Sequence, residues 1–134
     1  MEELRRRFSG VALFAKVYVS EAHPIDGWKV YSDIDYGQPT VLAERLAAAR
    51  RLLAEQPECF PLAPLPRTLA GEGAAAGGWT MLVDGMRNEA EKAYAAHPER
   101  LYVIDRATGE VAFKGEMGPF GYLPSALRQF LETL

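Results

Sequence analysis

The chain of 134 residues has little of several features on which common protein classes depend. Its one cysteine, Cys59, excludes a disulfide within the chain and favours a reducing compartment. No apolar run is long enough to span a bilayer, and the first residues lack the apolar core of a signal peptide. The net charge of −3 provides no positive surplus for nucleic acid or for an anionic membrane. We therefore expect a cytoplasmic protein with neither a nucleic-acid nor a membrane partner.

Motifs for three kinds of chemistry are also missing. His23 and His97 are the two histidines, and they form no cluster with metal-ligand spacing. There is no glycine-rich phosphate-binding loop and no Ser-His-Asp signature. The sequence therefore predicts no metal and no cofactor.

The residues that are present predict one α/β domain over residues 1–134. Apolar residues make up 49% of the chain and charged residues 25%, which is typical of a globular domain. Apolar periodicity and turn residues give the element order α-β-α-β-α-β-β-α. This order predicts a mixed sheet flanked by helices. It is the order of the thioredoxin fold with the first strand missing.

One segment interrupts this pattern. Residues 57–78 contain four prolines followed by four glycines, so we expect an irregular insertion there. Cys59 lies in this insertion, without a second cysteine or a nearby histidine in sequence. It is expected to be inert, and the alternative is a peroxide-reactive thiol whose pKa would have to be lowered.

Local patterns add three structural expectations. Residues 11–19 are apolar on both faces apart from Lys16, which favours a central strand. Asn88 and Glu91 have the spacing of a capping box. In the second helix, one face is predicted to be apolar and another to face solvent: Leu42, Leu46, Ala49 and Leu53 against Arg45, Arg50 and Arg51.

Two segments resemble one protein family in detail. Residues 18–28 contain E-A-H-P-I-D-G-W, which resembles the E-A-H-P-S-D-G-W segment of the iodothyronine deiodinases. Residues 115–122, G-E-M-G-P-F-G-Y, resemble their G-G-x-G-P-x-x-Y loop. Residues 83–88, 93–94 and 99–104 follow the family in order. The resemblance covers nearly the whole chain except the insertion, and it implies a thioredoxin-like fold.

The resemblance also implies an enzyme whose cysteine or selenocysteine is not among these residues. In the family, that residue lies at the start of the first helix and attacks the halogen of an aryl iodide, after which thiols reset it. Met1 falls inside the equivalent of that helix. The first strand and the nucleophile are thus expected in one of two ways. Either they lie upstream, because a selenocysteine codon was interpreted as a stop codon, or the protein has lost them. We expect a selenoprotein-related, bacterial-type member that is inactive as this chain.

Two departures from the family concern the substrate. Animal members have a second histidine shortly before the helix that follows Thr40, and this chain has none there. They often have a basic residue where Met117 stands, which can pair with a substrate carboxylate. Methionine cannot, so the sequence disfavours thyroid hormone as the substrate.

The resemblance singles out three catalytic candidates. His23 follows the first strand, and its imidazole can donate a proton to a leaving carbanion or hold a chalcogenolate. The alternative is a histidine that hydrogen-bonds only its own turn. Glu21 and Glu99 stand at matched positions, and Glu99 is a candidate to orient His23. Their alternative is that both are solvated charges.

Three aromatic residues are candidates for binding the substrate: Trp28, Phe120 and Tyr122. The alternative for Trp28 is an architectural role beside the Asp26–Gly27 turn, and for the other two a loop that leads into the last helix. Pro98 precedes a strand much as the cis-proline of thioredoxins does, which predicts a cis His97–Pro98 bond.

Two functional hypotheses follow. The first is a deiodinase-family, thioredoxin-fold oxidoreductase that carries out reductive dehalogenation or thiol redox chemistry, with a small aromatic substrate and a thiol reductant. It is inactive here because the nucleophile is absent. The second is a non-catalytic thioredoxin-like module for binding or assembly. In that case a partner strand, such as one from a homodimer, covers the sheet edge that the missing strand leaves open.

Overall fold

The computed structural model of the chain describes residues 1–30, 35–55 and 79–134. Its helices and strands follow the predicted order, which confirms the α/β class. The elements are α1 Glu2–Phe8, β1 Phe14–Tyr18, α2 Leu42–Glu55, β2 Trp79–Val83, α3 Glu89–Tyr94, β3 Tyr102–Ile104, β4 Val111–Lys114 and α4 Pro124–Leu131.

The described strands pair as two separate ribbons. β1 and β2 are parallel, with Phe14 opposite Trp79 and Tyr18 opposite Val83. β3 and β4 form an antiparallel hairpin with an irregular register between Val103 and Ile104. A single mixed sheet was expected, and the described strands do not form one. The thioredoxin-like arrangement therefore stays a prediction.

The hydrophobic core lies where the two terminal helices meet. Leu4 and Phe8 of α1 pack against Leu127 and Leu131 of α4, each pair spaced by one helical turn. Partly buried side chains from both ribbons close around these four: Phe14, Leu101, Val103 and Phe113, with Phe130. The core thus joins the start of β1 to the β3–β4 hairpin.

Helix α2 buries a charged residue that the sequence placed on its solvent side. Arg45 is only 2% exposed, whereas Leu42 is exposed. The guanidinium donates from Nη1 to the carbonyl oxygens of Gly85, at 2.7 Å, and Asp84, at 3.3 Å. The prediction for Arg45 was wrong because these acceptors come from the turn after β2, about 40 residues away in sequence.

Asp84 organises the start of α3 in place of the predicted capping box. Asn88 has φ of +54° and makes no side-chain cap bond. The buried Asp84 carboxylate instead accepts the backbone N–H groups of Gly85, Ala90 and Glu91 at 2.8–3.1 Å. Burial acts to raise the pKa of Asp84, but these bonds and the Arg45 charge together hold it below its ordinary value. The carboxylate is therefore ionised and anchors α3.

Replacing Asp84 by asparagine is expected to lower the free energy of unfolding at pH 7 by about 2 kcal/mol, because the amide cannot match a carboxylate as acceptor. The folded-state pKa is depressed, so this stabilisation is present above the unfolded value of about 4 and is lost as pH falls through the folded-state pKa. Urea denaturation of both proteins at pH 7 and pH 3 measures it, and the difference should shrink at pH 3.

Asn88→Gly is the matched control for the Asp84 variant. Glycine adopts positive φ without strain, and the Asn88 side chain makes no cap bond, so stability should change by less than about 0.5 kcal/mol. A larger loss for Asn88→Gly than for Asp84→Asn would restore the capping-box assignment.

Two sequence predictions concern parts of the chain outside the described residues. The irregular insertion at residues 57–78 and Cys59 within it both lie there. In the described part of the chain, none of the helices combines the length and the hydrophobicity that a bilayer-spanning helix needs.

Candidate functional site

His23 lies in the loop that follows β1 and is held by that loop. Its Nδ1 is 2.9 Å from the carbonyl oxygen of Trp28. A carbonyl only accepts hydrogen bonds, so Nδ1 carries the proton and Nε2 is the ring nitrogen left to exchange one. The bond to the loop is the one that the alternative interpretation foresaw, and it also sets the tautomer that acid–base chemistry at Nε2 requires.

The indole of Trp28 borders the His23 ring. The two rings meet edge to face, with centroids 5.2 Å apart and planes inclined at 70°. Trp28 is 77% exposed, so most of the indole remains available to another ring. His23 and Trp28 therefore combine a proton-exchanging nitrogen with an open aromatic face.

Glu21 is half-buried two residues before His23, in a network that reaches the loop before α2. Gln38 bonds both backbone groups of Glu21: its Oε1 accepts the N–H at 2.9 Å, and its Nε2 donates to the carbonyl at 3.0 Å. The Tyr36 hydroxyl donates to Glu21 Oε1 at 3.3 Å and lies 3.4 Å from the Tyr18 hydroxyl. The carboxyl is thus fixed in both position and direction.

The electrostatics of this network favour proton retention. Burial raises the pKa of Glu21, while the hydrogen bond from Tyr36 and the charge of Arg45 only partly oppose the rise. Burial and the neighbouring Glu21 charge raise the pKa of Tyr36 to about 12. Glu21, two residues before His23 in the chain, therefore has the raised pKa that suits a carboxyl to carry a proton.

Glu99 belongs to a different group of residues, at the loop after β4. Gly118 donates its N–H to the Glu99 carbonyl at 2.9 Å, and a Cβ at Gly118 would overlap the Glu99 carboxylate. Burial first, and the Glu99 charge second, raise the pKa of Tyr122. No hydrogen bond joins Glu99 to His23 among the described residues. The idea that Glu99 orients His23 therefore stays a prediction.

Phe120 lies at the tip of the same loop, between Gly118 and Tyr122. It is 98% exposed, and within the described ranges no ring contact links it to Trp28. Tyr122 is half-buried. Trp28 thus contacts His23, and the charge of Glu99 acts on Tyr122, but within the described part of the chain no hydrogen bond or ring contact joins these two pairs.

The second histidine is held at a separate place. His97 Nδ1 lies 3.4 Å from the Ser20 hydroxyl, which also donates to the Glu91 carboxylate. The peptide bond between His97 and Pro98 is cis, as predicted, and the Gly118–Pro119 bond is cis as well, which was not predicted. His97 thus belongs to the link between β1 and α3.

A cavity lies close to the Glu21 network. A cavity of about 510 Å³ lies between α2 and the loop before it, and Tyr36 and Gln38 separate it from Glu21. Within the part of the chain that the structure describes, no three side chains of His, Cys, Asp or Glu cluster as metal ligands do.

Four residues that shape this region were not among the candidates predicted from the sequence: Tyr36, Gln38, Arg45 and Asp84. Two of them carry some pattern in the sequence. Arg45 stands three and four positions before Ala48 and Ala49, on the helix face that is buried. Asp84 directly follows the strand predicted over residues 79–83, where side chains at strand ends gather. Tyr36 and Gln38 have no such pattern.

Comparison with known proteins places the chain in a family. The sequence profile described as Iodothyronine deiodinase matches residues 1–64 and 67–134. Type I iodothyronine deiodinase from Xenopus laevis is 33% identical over 130 residues, which are 97% of this chain and 43% of that protein. Thyroxine 5-deiodinase from Sparus aurata is 38% identical over 128 residues, 94% of this chain and 39% of the relative. The protein of the same name from Gallus gallus is 39% identical over 127 residues, which are 93% of this chain and 40% of that protein.

The chain therefore spans about two fifths of the length of these relatives. The profile match extends over almost every residue of the chain, on both sides of a two-residue gap. The expectation drawn from residues 18–28 and 115–122 is confirmed: the chain belongs to the iodothyronine deiodinase family.

Proposed function

We propose that these 134 residues form the substrate-orienting and proton-handling part of a thioredoxin-fold reductive dehalogenase for small aryl iodides. The observation that carries the proposal is the edge-to-face pairing of His23 with the exposed Trp28 directly after β1. Membership of the deiodinase family supports this class of reaction. Iodothyronine and thyroxine appear in the relatives' names, and Met117 argues for a substrate without their carboxylate contact.

The proposed reaction needs a chalcogenolate that is not among the described residues. The thiolate or selenolate attacks iodine, the new sulfur–iodine or selenium–iodine bond forms, and the carbon–iodine bond breaks with its electron pair left on carbon. His23 acts in its imidazolium form, with hydrogens on both ring nitrogens: Nδ1–H stays bonded to the Trp28 carbonyl, and Nε2–H supplies the proton that turns this carbanion into an arene and leaves the imidazole neutral. A thiol then attacks the sulfur or selenium and releases iodide, and a second thiol releases the nucleophile with formation of a disulfide.

Each part of the described site has a role in this scheme. Trp28 stacks the aromatic ring of the substrate, and Phe120 and Tyr122 close over it from the loop after β4. The bond from Nδ1 to the Trp28 carbonyl keeps Nε2 directed away from its own loop. Glu21, two residues before His23, is the proposed proton store for that histidine, and Glu99 is the candidate that orients its ring. Among the described residues no side chain is a nucleophile suited to attack the iodine, so we propose that this chain binds an aryl iodide without reducing it.

Titration of the chain with 4-iodophenol tests the binding step, with NMR signals of the His23 ring and the Trp28 indole as readouts. Both signals should shift together and saturate. Trp28→Ala should weaken binding about 2- to 13-fold because it removes one ring–ring contact of about 0.5–1.5 kcal/mol.

Leu134→Ala serves as the control, since it removes another exposed apolar side chain, at the end of the chain. It should leave the affinity unchanged. Equal losses in the two variants, or saturable shifts that spare His23 and Trp28, would refute the proposed ring site.

A further inference from the structure

Two loops that are separate in sequence are joined around Glu21. The N–H of Ile25 donates to the Tyr36 carbonyl at 3.1 Å, and the N–H of Gln38 donates to Asp26 Oδ1 at 2.8 Å. A Cβ at Gly37 would lie 2.8 Å from the Asp26 carboxylate, so any other residue at that position would displace the carboxylate that accepts the Gln38 N–H. The loop before α2 is thus bonded directly to the loop that follows β1.

Gln38, in the loop before α2, bonds to the backbone of Glu21 as a neighbouring β-strand would. Its side-chain amide accepts from the Glu21 N–H at 2.9 Å and donates to the Glu21 carbonyl at 3.0 Å. A primary amide is the side-chain group that can satisfy both backbone groups at once. The peptide units that flank Glu21 therefore have little freedom to turn.

Tyr36 directs the Glu21 side chain through a chain of hydroxyls. Its hydroxyl donates to Glu21 Oε1 at 3.3 Å, so its oxygen accepts from the Tyr18 hydroxyl, 3.4 Å away. The order of donation is Tyr18 to Tyr36 to Glu21. This chain ends at the carboxyl two residues before His23.

We propose that Tyr36 and Gln38 are positioning residues that hold Glu21 as the proton-storing carboxyl of the site, with Tyr18 completing the hydrogen-bonded chain behind it. The proposal deepens the proposed function, because it rests on Glu21 and His23 acting in one site. Under this proposal, Tyr36 and Gln38 help to set the pH at which Glu21 releases its proton.

The titratable and charged groups around Glu21 come from three parts of the chain. Tyr18 is on β1, Tyr36 is on the loop before α2, and Arg45 is on α2 itself. Arg51 and Glu55 act on Tyr36 from the far end of α2, with opposite signs. Removal of the Tyr36 hydroxyl takes away a bond that favours the charged carboxylate and leaves the burial that disfavours it, so the pKa of Glu21 must rise.

A pH titration of the Glu21 side-chain carboxyl carbon by NMR, in the whole chain without substrate, tests the proposal. Tyr36→Phe should raise the Glu21 pKa by at least about 0.5, the shift expected for one lost hydrogen bond. Tyr94→Phe is the matched control because Tyr94 packs on Tyr102, and it should leave the titration unchanged. An unchanged or lowered Glu21 pKa in Tyr36→Phe would overturn the proposal.

The reciprocal variant keeps the test decisive if Tyr36→Phe does not fold. Glu21→Gln removes the charge that helps raise the Tyr36 pKa to about 12, so the ring carbon signal of Tyr36 should titrate at lower pH. An unaltered Tyr36 titration in Glu21→Gln would count against the coupling. Neither measurement uses an aryl iodide, so the coupling can hold while 4-iodophenol fails to bind, and the two failures are distinguishable.

Discussion

Replacement of Arg45 by methionine is expected to lower the free energy of unfolding by about 2–4 kcal/mol. The side chain is almost fully buried, and its Nη1 satisfies the carbonyl oxygens of Asp84 and Gly85. Methionine fills a similar volume but offers no donor, which leaves the buried Asp84 carbonyl without this partner. The positive charge that acts on the Glu21 and Asp84 carboxylates is lost as well.

An opposing effect limits the loss from Arg45→Met. Burial of a guanidinium carries a large desolvation cost, and its Nε has no hydrogen-bond partner among the described residues. Removal of that cost favours the variant. The loss is still expected to dominate, because hydrogen bonds to charged donors contribute about 1.5–3 kcal/mol each and two are removed.

Urea denaturation of Arg45→Met beside Arg50→Met measures this effect. Arg50 lies on the same helix and is exposed, so its variant should differ from the parent by less than about 0.5 kcal/mol. If Arg45→Met is as stable as the parent or more stable, the expectation is wrong. The desolvation of the buried guanidinium would then cost at least as much as its hydrogen bonds contribute.

Replacement of His23 by asparagine is expected to reduce iodide release at least 100-fold in a form of the chain that is supplied with a nucleophile. A positioned general acid contributes about 10²–10⁴-fold, and asparagine cannot transfer a proton to a carbanion. Asparagine retains an N–H that can still bond to the Trp28 carbonyl, so the loop should persist.

His97→Asn is the matched control for the His23 variant. His97 is exposed and contacts Ser20, in the link between β1 and α3. Its replacement should change iodide release by less than about twofold. Similar losses at the two positions would mean that His23 supports the fold and has no acid role.

The sequence predicted local features better than contacts between distant segments. Leu4 with Phe8 and Leu127 with Leu131 form buried helix faces because spacing along one helix determines which side chains lie together. The capping-box prediction failed because Asn88 adopts a left-handed conformation and Asp84, outside the helix, accepts the free N–H groups. The spacing of two residues does not show whether a third competes for the same donors.

The candidate site shows the same division. His23 and Trp28 are five residues apart, and their contact was within reach of the sequence. The partners of Glu21 come from 15 and 17 residues further along the chain, through a loop with no regular pattern. Resemblance to the family made Glu21 a catalytic candidate, and its hydrogen bonds with Tyr36 and Gln38 show how it is held.

Iodide release from 4-iodophenol, with dithiothreitol as the reductant, tests the central claim most directly. The 134-residue chain is compared with the same chain extended at its N-terminus by a strand that ends in cysteine or selenocysteine, and with a serine version of that extension. The account predicts background release from the chain alone and from the serine version, and turnover when cysteine or selenocysteine is supplied. Turnover by the 134 residues alone, or none with the nucleophile in place and 4-iodophenol bound, would contradict it.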